Sequence, residues 1–238
     1  MGETEAGTRA ERPRSLTALL RQFAKVVFLS DVAQAINERV EGPRQALALR
    51  HWERSGRALP PPHLVKQRTV VAYAHRFGTR ALVETGTYLG AMIRATRSTF
   101  DRIISVELDH DLYERARQKL AEAGRVTILN GDSAQVLPGI LAQLHEPALF
   151  WLDAHHSGVL TAHGRLASPV MLELQHILGH TEHDHVVLID DAHEFVGQGG
   201  YPTIPELRAF VAGRRPSWLV EMEDDIIRVH REWLSGSQ

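Results

Sequence analysis

Five short apolar runs in this chain carry an acid at or just beyond their ends. They read Val83-Glu84-Thr85-Gly86-Thr87-Tyr88-Leu89-Gly90, Val106-Glu107-Leu108-Asp109, Leu129-Asn130-Gly131-Asp132-Ser133, Trp151-Leu152-Asp153 and Ile189-Asp190-Asp191. Carboxylates accept hydrogen bonds from hydroxyl and amino groups, and they bind hard cations. Asp and Asn are also ordinary turn and cap residues, so any one of these acids has a plain structural explanation. Five in consecutive register point to a ligand site.

The glycines narrow the ligand. Gly86 and Gly90 are four apart, so the G-x-G-x-x-G spacing is not met, and no G-K-[ST] follows. A pyrophosphate cradle is therefore unsupported. Glu107 follows Gly86 by 21 positions, the spacing of an acid that accepts ribose hydroxyls. A ribose without phosphates, beside an acidic first strand, suits a cationic nucleoside cofactor. Asp153 with Asp190 and Asp191 forms a second group, whose hard oxygens suit Mg²⁺ and leave room for substrate oxygens. His155, His156, His163 and His193 crowd the same rim, where an imidazole can take a proton near neutral pH. The group His176, His180, His183 and His185 reads as a polar helix end and loop, without an H-E-x-x-H pattern.

The elements that must position these residues alternate. Strand-like runs at Ala81–Thr85, Ile103–Glu107, Val126–Asn130, Leu149–Asp153 and Val186–Asp190 are separated by helical stretches. Those stretches are Leu89–Thr99, His110–Ala123, Ser133–Leu144 and Pro169–Leu178. Alternation of this kind implies right-handed crossovers and a parallel sheet with helices on both faces. A helix over Ile204–Val211 precedes a hairpin, Trp218–Glu223 and Ile226–His230, which adds an antiparallel strand near the sheet edge. The expected fold is a doubly wound α/β sheet of seven strands. The stretches Ser157–Ser168 and Glu194–Pro205 read as flexible covers over an acceptor pocket.

Upstream, residues 1–14 read as a disordered tail and 15–62 as a helical appendage with a linker, ahead of a domain at 63–238. Within the appendage, Gly42-Pro43 is expected to end one helix and start another. The 238 residues contain no cysteine, and the formal charge is −2. Disulfides and thiol chemistry are thereby excluded, and there is no basic footprint for nucleic acid. No apolar run is long enough to span a bilayer. These features lead us to expect a cytoplasmic protein with no nucleic-acid or membrane partner, and self-association through the N-terminal helices.

Glu84-x-Gly86-x-Tyr88-x-Gly90 resembles the first motif of the class I S-adenosylmethionine methyltransferases, and the resemblance runs from about Ala81 to His230. It implies that S-adenosylmethionine is bound by Glu84, Thr85, Gly86, Thr87, Tyr88 and Gly90, with Glu107 and Leu108 at the ribose. Asp132 and Ser133 would lie at the adenine, and Asp153 beside the cofactor. Tyr88 stands where most of the superfamily has glycine. The metal-dependent catechol O-methyltransferases tolerate tyrosine there. In the catechol-type and macrolide or aminocoumarin sugar enzymes, acids after strands four and five bind magnesium. Asp153, Asp190 and Asp191 match those positions, although 37 residues separate Asp153 from Asp190, more than is expected in those families. The catechol enzymes place a lysine base three residues after the strand-four acid. Here His155 and His156 occupy the second and third places, which makes them and Asp153 the catalytic candidates. The pattern W-L-D-x-H-x-S-G, with I-D-D-A and Y-P-T-I-x-E-L, is also similar to bacterial methyltransferase-like proteins. The implied reaction is methylation of a small-molecule hydroxyl on a sugar or polyketide-type acceptor. A metal-independent N- or carboxyl-methyltransferase and a non-catalytic cofactor-binding module remain as alternatives.

Overall fold

The computed structural model describes residues 31–122, 124–153, 159–160, 166–167 and 169–232. The expected tail at 1–14, the apolar stretch from Ser15, and His155, His156 and His163 lie outside the described residues. The chain divides into two compact units, Met1–Ala48 and Leu49–Gln238.

Helix α1 (Asp31–Arg54) runs through Gly42-Pro43 instead of breaking there. A proline inside a helix loses one backbone hydrogen bond, and its ring crowds the residue before it. That residue is Gly42, which has no Cβ to clash, so one helix continues where two were expected. Near the end of α1, Trp52 is buried and its Nε1 donates to the Ala58 carbonyl at 2.7 Å.

Within the larger unit, α2 (His63–Phe77) precedes β1 (Ala81–Thr85), α3 (Ala91–Thr96), β2 (Arg102–Glu107), α4 (His110–Leu120) and β3 (Val126–Asn130). There follow α5 (Ser133–Leu141), β4 (Ala148–Leu152), the short strands β5 (Val159–Leu160) and β6 (Leu166–Ala167), and α6 (Val170–Gly179). The chain ends with β7 (Val186–Ile189), α7 (Ile204–Arg214), β8 (Trp218–Glu223) and β9 (Ile226–Arg231). The main sheet has the order β3-β2-β1-β4-β7-β9-β8. Its first five strands are parallel, and β9 lies antiparallel to both β7 and β8. This is the seven-stranded, doubly wound arrangement that the alternating pattern implies. Within the cover expected at Ser157–Ser168, β5 and β6 pair antiparallel.

Successive strand residues face opposite layers. Ala81, Val83, Ile104, Val106, Phe150, Leu152, Val187 and Ile189 join the layer with Leu137, Leu174 and Val211 from α5, α6 and α7. Leu82, Ile103, Leu149, Trp151 and Leu188 join the opposite layer with Val70, Ile93 and Ala116 from α2, α3 and α4. Both faces are thus covered, as the near-continuous apolar strands require. Each fully buried Leu or Ile contributes about 1.5–3 kcal/mol. Pairing in register then brings the strand ends together. Thr85 pairs with Val106 and Leu152, and Leu152 pairs with Ile189. No described helix is long and apolar enough to cross a membrane.

Candidate active site

The ladder hydrogen bonds continue past the strand ends and carry the acids with them. Gly86 N–H donates to the Val106 carbonyl at 2.9 Å, Asp153 N–H to Thr85 at 3.1 Å, and Asp190 N–H to Leu152 at 2.9 Å. Asp153 lies so close to the first loop that a Cβ on Gly86 would stand 3.0 Å from the Asp153 Cβ, and Gly86 has φ +92. Only glycine suits both constraints. The loop and the acid pair after β7 are therefore joined through Asp153.

Alternation along the strands puts Glu84, Ser105 and Glu107 on the face toward α2–α4. Ser105 Oγ donates to Glu84 Oε2 at 2.5 Å and lies 2.6 Å from Thr87 Oγ1. Burial pushes the Glu84 carboxyl up to about 8, helped by the charges of Asp153 and Glu107 and opposed by the Ser105 bond and Arg94. Glu107 ends β2 with each oxygen already engaged: Oε2 accepts from Tyr88 N–H at 2.7 Å, and Oε1 from Asp109 N–H at 2.9 Å. A carboxylate has about four acceptor positions, so the fixed Glu107 retains capacity for a pair of hydroxyls. Tyr88 has φ +46, the left-handed conformation that explains the glycine usual at this place. Its ring and Leu108 are exposed beside Glu107. Asp132 caps α5 by accepting from Ala134 N–H at 3.0 Å, so its ordinary cap role holds alongside any other.

Two charged residues that sequence reasoning missed enter this site. Glu173 on α6 is buried and accepts a hydrogen bond from Ser133 Oγ. Burial pushes it up to about 7, against hydrogen bonds from Ser133 and Thr85. Lys66 on α2 is also buried, and its Nζ lies 2.6 Å from Asp190 Oδ2 and 3.5 Å from Asp191 Oδ1. Burial alone would lower Lys66, but Asp190, Asp191 and Asp153 outweigh it and hold the ammonium above its ordinary value. Burial raises Asp190 to about 6 even though Lys66 opposes the shift. In both cases the signal was a single charge on an otherwise buried helix face: Val65, Val70 and Ala74 around Lys66, and Val170, Leu174 and Ile177 around Glu173.

Asp153, Asp190 and Asp191 do converge, each offering an oxygen within 4.8 Å of the others. The cation position beside Asp190 is nevertheless filled by Lys66. A magnesium ion on the same Asp190 oxygen, at about 2.1 Å, would sit at most ~4.7 Å from Nζ. There +2 and +1 repel by ~7 kcal/mol at an effective dielectric of ~20. Lys66 thus already brings one positive charge to the cluster, and a divalent ion on that oxygen would have to displace the ammonium or bear that repulsion against the attraction of the three carboxylates.

Of the rim histidines, His193 is described. Asp225, in the β8–β9 turn, accepts from His193 N–H at 2.8 Å and lies 2.7 Å from its Nδ1. The slight burial of the ring would lower it, but the Asp225 bond and charge hold the imidazole above its usual range. His185 Nδ1 accepts from Ala148 N–H at 3.1 Å, and burial presses its pKa down to about 3. The expected cover at Glu194–Pro205 has a fixed end, since Thr203 and Glu206 form a capping box at the start of α7.

No family model matches the chain. Ribosomal RNA small subunit methyltransferase A of Acidobacterium capsulatum is 32% identical over 82 residues, which is 34% of this chain and 29% of that enzyme. Among solved structures, a Staphylococcus aureus protein provisionally assigned as a caffeoyl-CoA O-methyltransferase superposes with a TM-score of 0.51 and 14% identity. That comparison covers 90% of this chain and all of the other. An O-methyltransferase from Bacillus cereus, in complex with S-adenosylhomocysteine, gives a TM-score of 0.50 and 15% identity over 83% of this chain and 97% of its own. The fold is the one these methyltransferases share.

Proposed function

We propose that the chain is an S-adenosylmethionine-dependent methyltransferase acting on an acceptor hydroxyl. The observation that carries this reading is Glu107, a buried carboxylate fixed by two backbone N–H groups at the end of β2, beside the Gly86–Gly90 loop. Its remaining acceptor positions suit the ribose hydroxyls. Asp153 supplies negative charge near the loop, where a sulfonium and an amino group would be received, and the buried Glu84, whose carboxyl burial keeps protonated near neutral pH, lies beside it. Asp132 and Ser133 border the adenine end, with Glu173 holding the Ser133 hydroxyl. When bound, the cofactor would supply a methyl group to the acceptor oxygen, its sulfur keeping the electron pair of the S–C bond. The acceptor's proton needs a base, for which His155 and His156 are the candidates from the sequence. Orientation at the β4 and β7 ends does most of the remaining work.

Magnesium assistance has one observation in its favour, the convergence of Asp153, Asp190 and Asp191. Lys66 at Asp190 weighs against it. A small-molecule sugar or polyketide-type acceptor remains the expected substrate class, with self-association through the N-terminal helices as an expected property. The test is release of S-adenosylhomocysteine from S-adenosylmethionine over a panel of phenols, sugars and amines. Asp153→Asn should lose turnover by about 100-fold, the scale of a lost electrostatic group in a dry site. Turnover on amines alone would replace the hydroxyl acceptor with nitrogen. Cofactor binding without product on any acceptor would favour a non-catalytic module.

A further inference from the structure

We infer that Lys66 is a resident cation that takes the place a divalent ion would have beside Asp190 and Asp191, so that the charge of this acid pair is compensated without metal. The inference deepens the acceptor end of the proposed reading, and its evidence is geometric. Lys66 lies on the face of α2 that is buried at Val65, Gln67, Val70 and Ala74, so the helix delivers its side chain inward. Its Nζ meets Asp190 at 2.6 Å and Asp191 at 3.5 Å, the two acids that follow β7. Both partners are buried: side-chain exposure is 11% for Lys66, 5% for Asp190 and 3% for Asp191. A buried carboxylate pair of this kind needs a cation, and the chain supplies one from its own helix.

The chemical consequence is specific. An ammonium has three donors; one goes to Asp190 Oδ2 at 2.6 Å, and Asp191 Oδ1 lies at ion-pair distance, 3.5 Å. An ammonium offers separate, directional N–H donors, whereas a divalent ion gathers two adjacent oxygens into a chelate. This predicts acceptors with one recognised hydroxyl rather than a catechol-like pair. Lys66 acts here as a positioning residue for Asp190 and Asp191.

The test is titration of the full-length protein with Mn²⁺, followed by electron paramagnetic resonance and calorimetry, with and without S-adenosylhomocysteine. Wild type and Lys66→Arg, which keeps the charge, should take up no stoichiometric Mn²⁺ at this cluster. Lys66→Met frees the carboxylates and should bind one Mn²⁺ at least about tenfold more tightly than wild type. Asp190→Asn added to Lys66→Met should remove that binding, which separates this cluster from the neighbouring group of Asp191, His193 and Asp225. Stoichiometric Mn²⁺ on the wild type, at a site lost in Asp190→Asn, overturns the inference whether or not Lys66→Met folds. A folded Lys66→Met that binds no better than wild type also overturns it. The cofactor heats report separately. A chain that binds S-adenosylhomocysteine and Mn²⁺ loses only the lysine inference, and one that binds neither loses only the cofactor reading.

Discussion

Glu84→Gln should abolish a pH-dependent loss of stability that the wild type carries. Glu84 sits in the middle strands of the sheet, 2% exposed, and its carboxyl is raised from 4.5 to about 8, chiefly by burial. Between those values the folded chain keeps a proton that the unfolded chain has released. The stabilisation is therefore complete below pH 4.5 and is lost as pH rises toward 8. Each pH unit inside that window costs ~1.36 kcal/mol, so the fall from pH 5 to pH 8 is ~4 kcal/mol. Glutamine keeps the shape and an oxygen for the Ser105 hydroxyl but does not titrate. Glu173 and Asp190 titrate in both proteins and cancel in the difference. Urea unfolding of wild type and variant at intervals from pH 5 to 9 reads the effect directly. The variant should gain on the wild type by ~4 kcal/mol across that range. Parallel stability curves, with a gap changing by less than ~1 kcal/mol, would refute an ionisable carboxyl buried without a compensating charge.

Gly90→Ala should cost about 1–3 kcal/mol in the same assay, because the new Cβ would stand 2.1 Å from Leu120 Cδ1 at a residue with φ +71. Unchanged unfolding would mean that Leu120 swings aside freely. A chain beginning at Leu49 should fold and bind S-adenosylhomocysteine, whereas one beginning at Pro60 should lose about 3 kcal/mol or more with Trp52, by thermal or urea unfolding. The latter also discards Arg57, which pairs with Asp224 at 3.2 Å in the β8–β9 turn.

The sheet was legible because its strands are apolar runs of four to six residues, ended by turn residues and separated by helical spacing. Its five parallel strands fell within a residue or so of their expected bounds, and the final hairpin came with them. The acids were legible for a related reason, since each occupies a strand end that the sheet aligns. Lys66 and Glu173 were not, because each is a lone charge in a helix whose pattern is otherwise that of a buried face. Their partners lie 124 and 40 residues away along the chain, a separation no local pattern encodes. Asp225 was likewise read only as part of a turn, although its carboxylate holds the backbone and the ring of His193. The helix through Gly42-Pro43 shows the opposite error, in which a turn-forming pair was tolerated inside a regular element.

Calorimetric titration of S-adenosylhomocysteine into the wild type and Glu107→Gln tests the central claim most directly. Glutamine keeps one oxygen for a backbone N–H but gives up the charge and half of the acceptor capacity. The wild type should bind one equivalent, NAD and ATP should give no heat, and Glu107→Gln should bind at least about tenfold more weakly, the loss of one charge-assisted hydrogen bond. A wild-type chain that takes up no S-adenosylhomocysteine, or a folded Glu107→Gln with unchanged affinity, would contradict the assignment of this cleft to the cofactor.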